Sequence, residues 1–224
     1  TSIAVEGGNS SYYDKGCAII EAADNRLVHG CKNTIIPDGV TSIGKWAFYN
    51  CAEPTNIIMP ESIRDIEEFA FFKCIGLTGI IIPQNTVTIG KYAFYQCSRL
   101  QSVTIPAGMK SIGDGAFFEC KEIGNIYSHC KRPASIEERT FDGIHDTATL
   151  YVPTGTKEIY QAAPYWCNFT NIIEKDFGNS SDITPIADDD ENTHSPIYDL
   201  QGRQVKQMLK GGIYIRNGKA TLYQ

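Results

Sequence analysis

Ile82-Pro83-Gln84-Asn85-Thr86-Val87-Thr88-Ile89-Gly90-Lys91-Tyr92-Ala93-Phe94-Tyr95-Gln96-Cys97-Ser98-Arg99-Leu100-Gln101-Ser102-Val103-Thr104 is one unit of a pattern whose next copy opens at Ile105-Pro106. Its landmarks recur every 23 residues: Pro37, Pro60, Pro83 and Pro106; Ile43, Ile66, Ile89 and Ile112; Phe48, Phe71, Phe94 and Phe117; Cys51, Cys74, Cys97 and Cys120. Self-similarity at a fixed step marks a repeat array, in which each unit is one coil and function resides in rows of surface residues rather than in isolated motifs. Within the unit, Leu100, Val103 and Ile105 suit a short strand, and Pro106, with no N–H to donate, ends it. Ala93, Phe94 and Cys97 have the spacing of one face of a helical turn. A single coil cannot bury Phe94, whereas stacked coils bury a continuous column.

Outward from this core the pattern frays. Ile136, Phe141, Ile144 and Leu150 fall 24 residues after their counterparts Ile112, Phe117, Cys120 and Ile126, which makes a degenerate fifth unit with one residue inserted. Lys157 to Ala163, then Trp166, Phe169 and Ile172, read as a helix and strand closing the array. At the other end, Ala18 to Glu21 and Leu27 to His29 flank Asp24-Asn25, a hairpin signal that would cover the first coil's open edge. The expected organisation is an N-terminal hairpin cap over 1–35, four regular repeats over 36–127, a degenerate repeat and cap over 128–174, an acidic linker over 175–195 and a small β module over 196–224, with an Asn217-Gly218 turn.

These residues nearly spell I-P-x-x-V-x-x-I-G-x-x-A-F-x-x-C-x-x-L-x-x-V, and the chain resembles the BspA-type leucine-rich repeat family closely over 36–127 and loosely over 12–174. Glu67 replaces the glycine, Pro54 the leucine and Thr86 the valine of the usual unit. The resemblance implies an α/β leucine-rich-repeat solenoid, mainly β with short helical turns, of about six coils. The segment after 195 is similar to the C-terminal tails of secreted proteins from anaerobic bacteria, although about 30 residues is shorter than a complete sorting domain. The resemblance implies export or display at the outer cell surface, and binding to host matrix or cell-surface proteins.

The formal net charge of −6 is concentrated in Asp176, Asp182, Asp188, Asp189, Asp190 and Glu191, with no Lys or Arg among them. The rest is balanced and lacks a basic stripe, which argues against nucleic acid as a partner. No apolar run approaches the ~18 residues of a transmembrane segment. Thr1 opens no basic-then-apolar leader, so any export signal is expected to have been removed.

Isolated motifs carry little chemistry. Gly39-Val40-Thr41-Ser42-Ile43-Gly44-Lys45 begins like a phosphate-binding loop, but Trp46 stands where a magnesium-holding hydroxyl belongs. His129-Cys130 are adjacent and point to different sides. Asp188-Asp189-Asp190-Glu191 lacks the alternating ligands and central glycine of a calcium loop. No cofactor or metal site and no enzymatic activity are expected. Of the eight cysteines, the four in the column suit buried apolar positions. Cys17 and Cys31, equidistant from Asp24, are placed to face each other across the hairpin as a candidate disulfide.

Two surface rows are candidate binding features. The first is the outward strand position, Ile58, Ile81, Thr104, Tyr127 and Tyr151, with the two tyrosines as anchors. The second is an aromatic band, Trp46, Phe69 and Tyr92, beside Tyr49, Phe72, Tyr95 and Phe118. The band would suit a glycan, or its rings would simply stack from coil to coil. A site in the irregular fifth coil, in an enzyme or enzyme accessory, is a third reading.

Overall fold

In a computed structural model, residues 4–32, 34–52 and 57–177 are described in full, together with the backbone of four strands between 197 and 222. The acidic run 182–191, Asn56, Pro54 and the Asn217-Gly218 turn lie outside the described residues. The chain divides into two units, Thr1–Asp176 and Phe177–Gln224.

The first unit is a mainly β solenoid. A three-stranded antiparallel cap opens it, β1 (Tyr12–Lys15), β2 (Ala18–Glu21) and β3 (Arg26–His29). The coils then supply β4 (Ser42–Ile43), β5 (Asp65–Ile66), β6 (Gly79–Ile81), β7 (Thr88–Ile89), β8 (Ser102–Ile105), β9 (Ser111–Ile112), β10 (Asn125–Ser128) and β11 (Thr149–Pro153). Helix α1 (Lys157–Ala162) and β12 (Asn171–Lys175) close the array. Strands β4, β5, β7 and β9 continue in parallel from β3 as one sheet, and β6, β8, β10, β11 and β12 form a second, wholly parallel sheet. From the second regular repeat onward each coil therefore contributes to two sheets, of which the sequence signals only the second. Strands as short as Ser42–Ile43 carry too little alternation to read.

The third side of each coil differs from the helical turn expected for Ala93, Phe94 and Cys97. It is an arc of tight turns in which residues with left-handed φ recur: Trp46 (63°), Phe69 (58°), Tyr92 (54°) and Gly115 (62°), then Asn50, Lys73, Gln96 and Glu119 four positions later. The alternation aims successive N–H groups in different directions. Phe48, Phe71, Phe94 and Phe117 donate to Ala70, Ala93, Ala116 and Thr140 of the following coil at 2.7–2.9 Å. Cys51, Cys74, Cys97 and Cys120 donate back within their own coil to the carbonyls of those phenylalanines. The arc thus bonds each of these coils to the next through backbone groups, as the sheets do, and satisfies these buried N–H groups.

Inside, Phe48, Phe71, Phe94, Phe117 and Phe141 stack at centroid separations of 5.0–5.2 Å with planes within 7° of parallel. The cysteine column has its own bonding. The Cys74, Cys97 and Cys120 thiols donate to the carbonyls of Phe48, Phe71 and Phe94 at 3.0–3.2 Å, and all are free thiols. Burial pushes the Cys74 thiol up to about 12 and the Cys97 thiol well above its ordinary value. The consensus glycine answers a close approach: a Cβ on Gly90 would stand 2.5 Å from the Glu68 nitrogen. Thr86, the polar departure, is fully buried with its hydroxyl donating to the Ile63 carbonyl at 3.3 Å.

The extra residue of the fifth unit has a definite place. Ser128 pairs with Ile105 at the 23-residue step, whereas Ser111 pairs with Ser135 at 24, so the insertion falls in the corner between the two sheets and both ladders keep register. Trp166 and Phe169 then lie over Phe141 at 5.4 and 5.6 Å and end the ring column. Their neighbours satisfy buried polar groups: Trp166 Nε1 donates to the Ala134 carbonyl, and the Tyr160 hydroxyl bonds Ser128 Oγ and the Cys130 carbonyl.

The proposed Cys17–Cys31 bridge is corrected. Both thiols are free. Gly16 and Cys17, with φ of 63° and 59°, are the two central residues of a tight turn joining Lys15 to Ala18, which takes Cys17 out of the β2–β3 ladder. A bulge between Ile19 and Ile20 further breaks the hairpin's symmetry.

In the second unit β13 (Ile197–Asp199), β14 (Gln204–Val205), β15 (Ile213–Arg216) and β16 (Lys219–Leu222) form an antiparallel sheet in the order β14-β13-β15-β16.

Truncating the central ring should be costly. Phe94→Ala is expected to lose ~3–5 kcal/mol in denaturant titration, and Lys91→Ala, exposed on the same arc, to stay within ~0.5 kcal/mol. Equal midpoints would overturn the column as the source of stability. Thiol reactivity gives a second check: exposed Cys167 should react with a maleimide in the native state, and Cys74, Cys97 and Cys120 only after unfolding. Rapid native modification of Cys97 would contradict the burial.

Candidate binding surfaces

The outward face of the second sheet follows from strand alternation: Ile80, Val103, Ile126, Leu150 and Ile172 point inward and their neighbours outward. Register brings Ile81, Thr104, Tyr127 and Tyr151 side by side, one per coil, and continues the row to Ile173. Ile58, 44% exposed, precedes them in a segment without strand pairing. Tyr127 and Tyr151 stack at 4.9 Å and 14°. Burial is the main cause that raises the Tyr127 phenol, with Tyr151 adding to it. A second outward file, Gly79, Ser102, Asn125, Thr149 and Asn171, is small and polar, and Asn171 Nδ2 donates to Thr149 Oγ1 at 2.8 Å.

Two members of this face escaped the sequence reading. Ile173, 41% exposed, extends the row. Lys175, which composition assigns to the head of the acidic stretch, is the last residue of β12, and its Nζ lies 4.9 Å from the Tyr127 centroid and 5.4 Å from that of Tyr151. The alternation Asn171, Ile173, Lys175 around inward Ile172 was the available signal, too short to separate from the linker that follows.

The aromatic band is a ladder. Trp46 and Phe69 stack at 4.1 Å and 2°, Phe69 and Tyr92 at 5.4 Å and 15°. Tyr49, Phe72 and Tyr95 make a parallel file at 5.7 and 4.7 Å, and edge-on contacts such as Trp46–Tyr49 at 5.2 Å tie the files together. Ring faces are therefore mostly spent on one another, and each pairing stabilises the left-handed backbone that carries it. The ladder ends at Gly115, where the Tyr92 ring occupies the space of a Cβ, 2.4 Å away. It opens at the N-terminal end. The coil before it has no arc, and Gly30 packs directly under Phe48, so Trp46 is left 40% exposed and Tyr49 52%.

Among the described residues, the other candidate groups do not converge. His129 and Cys130 part company: Cys130 is buried with its thiol donating to the Pro106 carbonyl at 3.1 Å, and His129 is half-buried on the outer face. Burial lowers the His129 pKa and nearby Lys175 lowers it further. A cleft of about 700 Å³ between residues 132–136 and α1 is lined by apolar groups such as Ile136, Ile159 and Trp166, with Arg132 and Glu158 its ionisable members. Among the described residues there is no group of three His, Cys, Asp or Glu placed to hold a metal ion. No helix among them is long and apolar enough to cross a membrane.

The comparisons agree with this geometry. The BspA-type leucine-rich repeat family matches residues 28–132 in six copies, and over that region the chain is similar to the BspA-type leucine-rich repeats. Among curated proteins none matches. Of solved structures, the pneumococcal vaccine antigen PcpA aligns with a TM-score of 0.55 and 19% identity, covering 78% of this chain and 50% of the antigen's. A leucine-rich cell surface protein from Faecalibacterium prausnitzii aligns at 0.39 and 27%, covering 53% of this chain and 40% of that one. A leucine-rich repeat protein from Eubacterium ventriosum aligns at 0.46 and 16%, covering 63% and 52%. This chain thus spans about half the length of the antigen.

Gly115→Ala should cost more than about 1 kcal/mol, because it puts a Cβ both on a left-handed residue and into the Tyr92 ring. Gly124→Ala, with open space around it and an ordinary φ, should remain within ~0.5 kcal/mol. Matching melting temperatures for the two variants would refute the ladder's end at Gly115.

Proposed function

We propose that the chain is a non-enzymatic recognition module, secreted or held at the outer surface of a bacterium, that binds proteins of a host matrix or of neighbouring cells through the outward face of its second sheet. The single observation that carries this reading is the Tyr127–Tyr151 pair, stacked at 4.9 Å in a row that runs from Ile81 to Ile173 on one regular face. Tyrosine offers a broad apolar surface with a polar tip at low entropic cost, and rows repeated at one coil spacing let several weak contacts act together on an extended ligand. The surface setting rests on the family resemblance and on bacterial structural neighbours, one of them a vaccine antigen.

A second reading, glycan binding, has one observation in its favour: the open outer side of Trp46 and Tyr49 at the start of the aromatic ladder. Phe69, sandwiched between Trp46 and Tyr92, and Tyr92, stacked on Phe69 and lying against Gly115, offer less.

The test is a screen of the full chain against immobilised matrix proteins and polysaccharides. The Tyr127→Ala, Tyr151→Ala double variant should bind a protein partner at least ~tenfold more weakly, as expected for interface anchors, while melting like the parent. Unchanged protein binding by that variant sinks the strand-face reading. Polysaccharide binding abolished by Trp46→Ala with the tyrosine variant unaffected transfers function to the aromatic ladder.

A further inference from the structure

Among the outward positions of β6, β8, β10, β11 and β12, one formal charge occurs, that of Lys175. Its neighbour Glu174 has the opposite strand parity and accepts the Lys157 N–H at 2.9 Å, away from this face. Among the described residues no carboxylate forms an ion pair with Lys175. The ammonium instead rests against both rings of the tyrosine pair. A cation over aromatic faces gains attraction but keeps its charge, and the parallel pairing of Lys175 with Pro153 fixes its backbone. His129, on the same face, is held toward its neutral form by burial and by Lys175 itself, so among the described residues of this face Lys175 is the one positive charge. Ile173 and the tyrosine rings supply apolar contact beside it.

We infer that Lys175, laid across Tyr127 and Tyr151 on a face whose described outward strand positions carry no carboxylate, is the charge-reading element of the strand row, and that this face takes an extended peptide segment presenting an Asp or Glu side chain beside an apolar one. This rests on the protein-binding reading of the row and specifies its chemistry. A uniformly polar or basic segment would meet the ammonium unpaired or repelled, which is discrimination as well as attraction.

The experiment pans a phage-displayed library of random 12-residue peptides against the full chain, then measures the enriched peptides against wild type, Lys175→Arg, Lys175→Glu and the tyrosine double variant. Enriched peptides should carry an acidic residue next to an apolar one. Their affinity should fall at least ~tenfold with Lys175→Glu, survive Lys175→Arg and weaken with salt. Replacing the peptide's acidic residue by Lys should restore binding to Lys175→Glu. Tyrosine-dependent peptides without an acidic residue, or peptides indifferent to Lys175→Glu, overturn the inference and leave the strand row standing. Enriched peptides indifferent to the tyrosine variant as well remove the row itself. A library yielding no peptide, with heparin oligosaccharide binding that depends on Lys175, makes the ligand a glycan and likewise overturns the proposal.

Discussion

Everything in the solenoid answers to one distance, the spacing between coils. Parallel strands must sit ~4.8 Å apart to exchange hydrogen bonds, and aromatic rings stack comfortably with centroids 4.5–7 Å apart. The phenylalanine column at 5.0–5.2 Å meets both demands at once. That agreement allows two sheets, an arc of backbone bonds and three files of rings to share one repeat. It also explains where irregularity is tolerated: the inserted residue of the fifth unit sits in a corner, where no ladder has to absorb it.

The arc shows how local strain is stabilised by repetition. Left-handed φ at a residue with a Cβ costs roughly 1 kcal/mol or more, yet Trp46, Phe69 and Tyr92 all adopt it. Phe69 and Tyr92 donate their N–H groups to Lys91 and Asp114 of the following coil, and Trp46 and Phe69 each lay a ring on the next coil's ring. Neither gain exists for a coil alone. The same logic gives the cysteine column its residue type, since a small buried thiol both fills the corner and donates to a carbonyl of the preceding coil.

Features that recur were legible in the sequence, and features that occur once were not. The Phe, Ile, Ala and Cys columns announce the core, and the strand row from Ile81 to Tyr151 follows from alternation. The arc misled because Ala93, Phe94 and Cys97 have spacings that suit a helical turn and a chain of tight turns equally well, and no glycine marks the left-handed position except Gly115. Cys17 misled because a symmetrical hairpin about Asp24 ignores the turn that Gly16 begins. Lys175 was hidden by composition: the residues after it are acidic and the strand holding it is unrepeated. On the candidate surface the rows were therefore visible and their charge was not.

Gly30 decides how such a protein can change its length. The Phe48 ring lies where a side chain at 30 would begin, with a Cβ only 2.2 Å from the ring. The Gly30 N–H already donates to the Ala47 carbonyl, the bond that a preceding arc would otherwise make. A new coil therefore cannot be laid against the start of the array without removing the cap, and Trp166 and Phe169 block the far end in the same way. Between those stops, any unit has the same floor and ceiling as its neighbours. Tandem duplication of an internal 23-residue segment would add reach without requiring a new terminus.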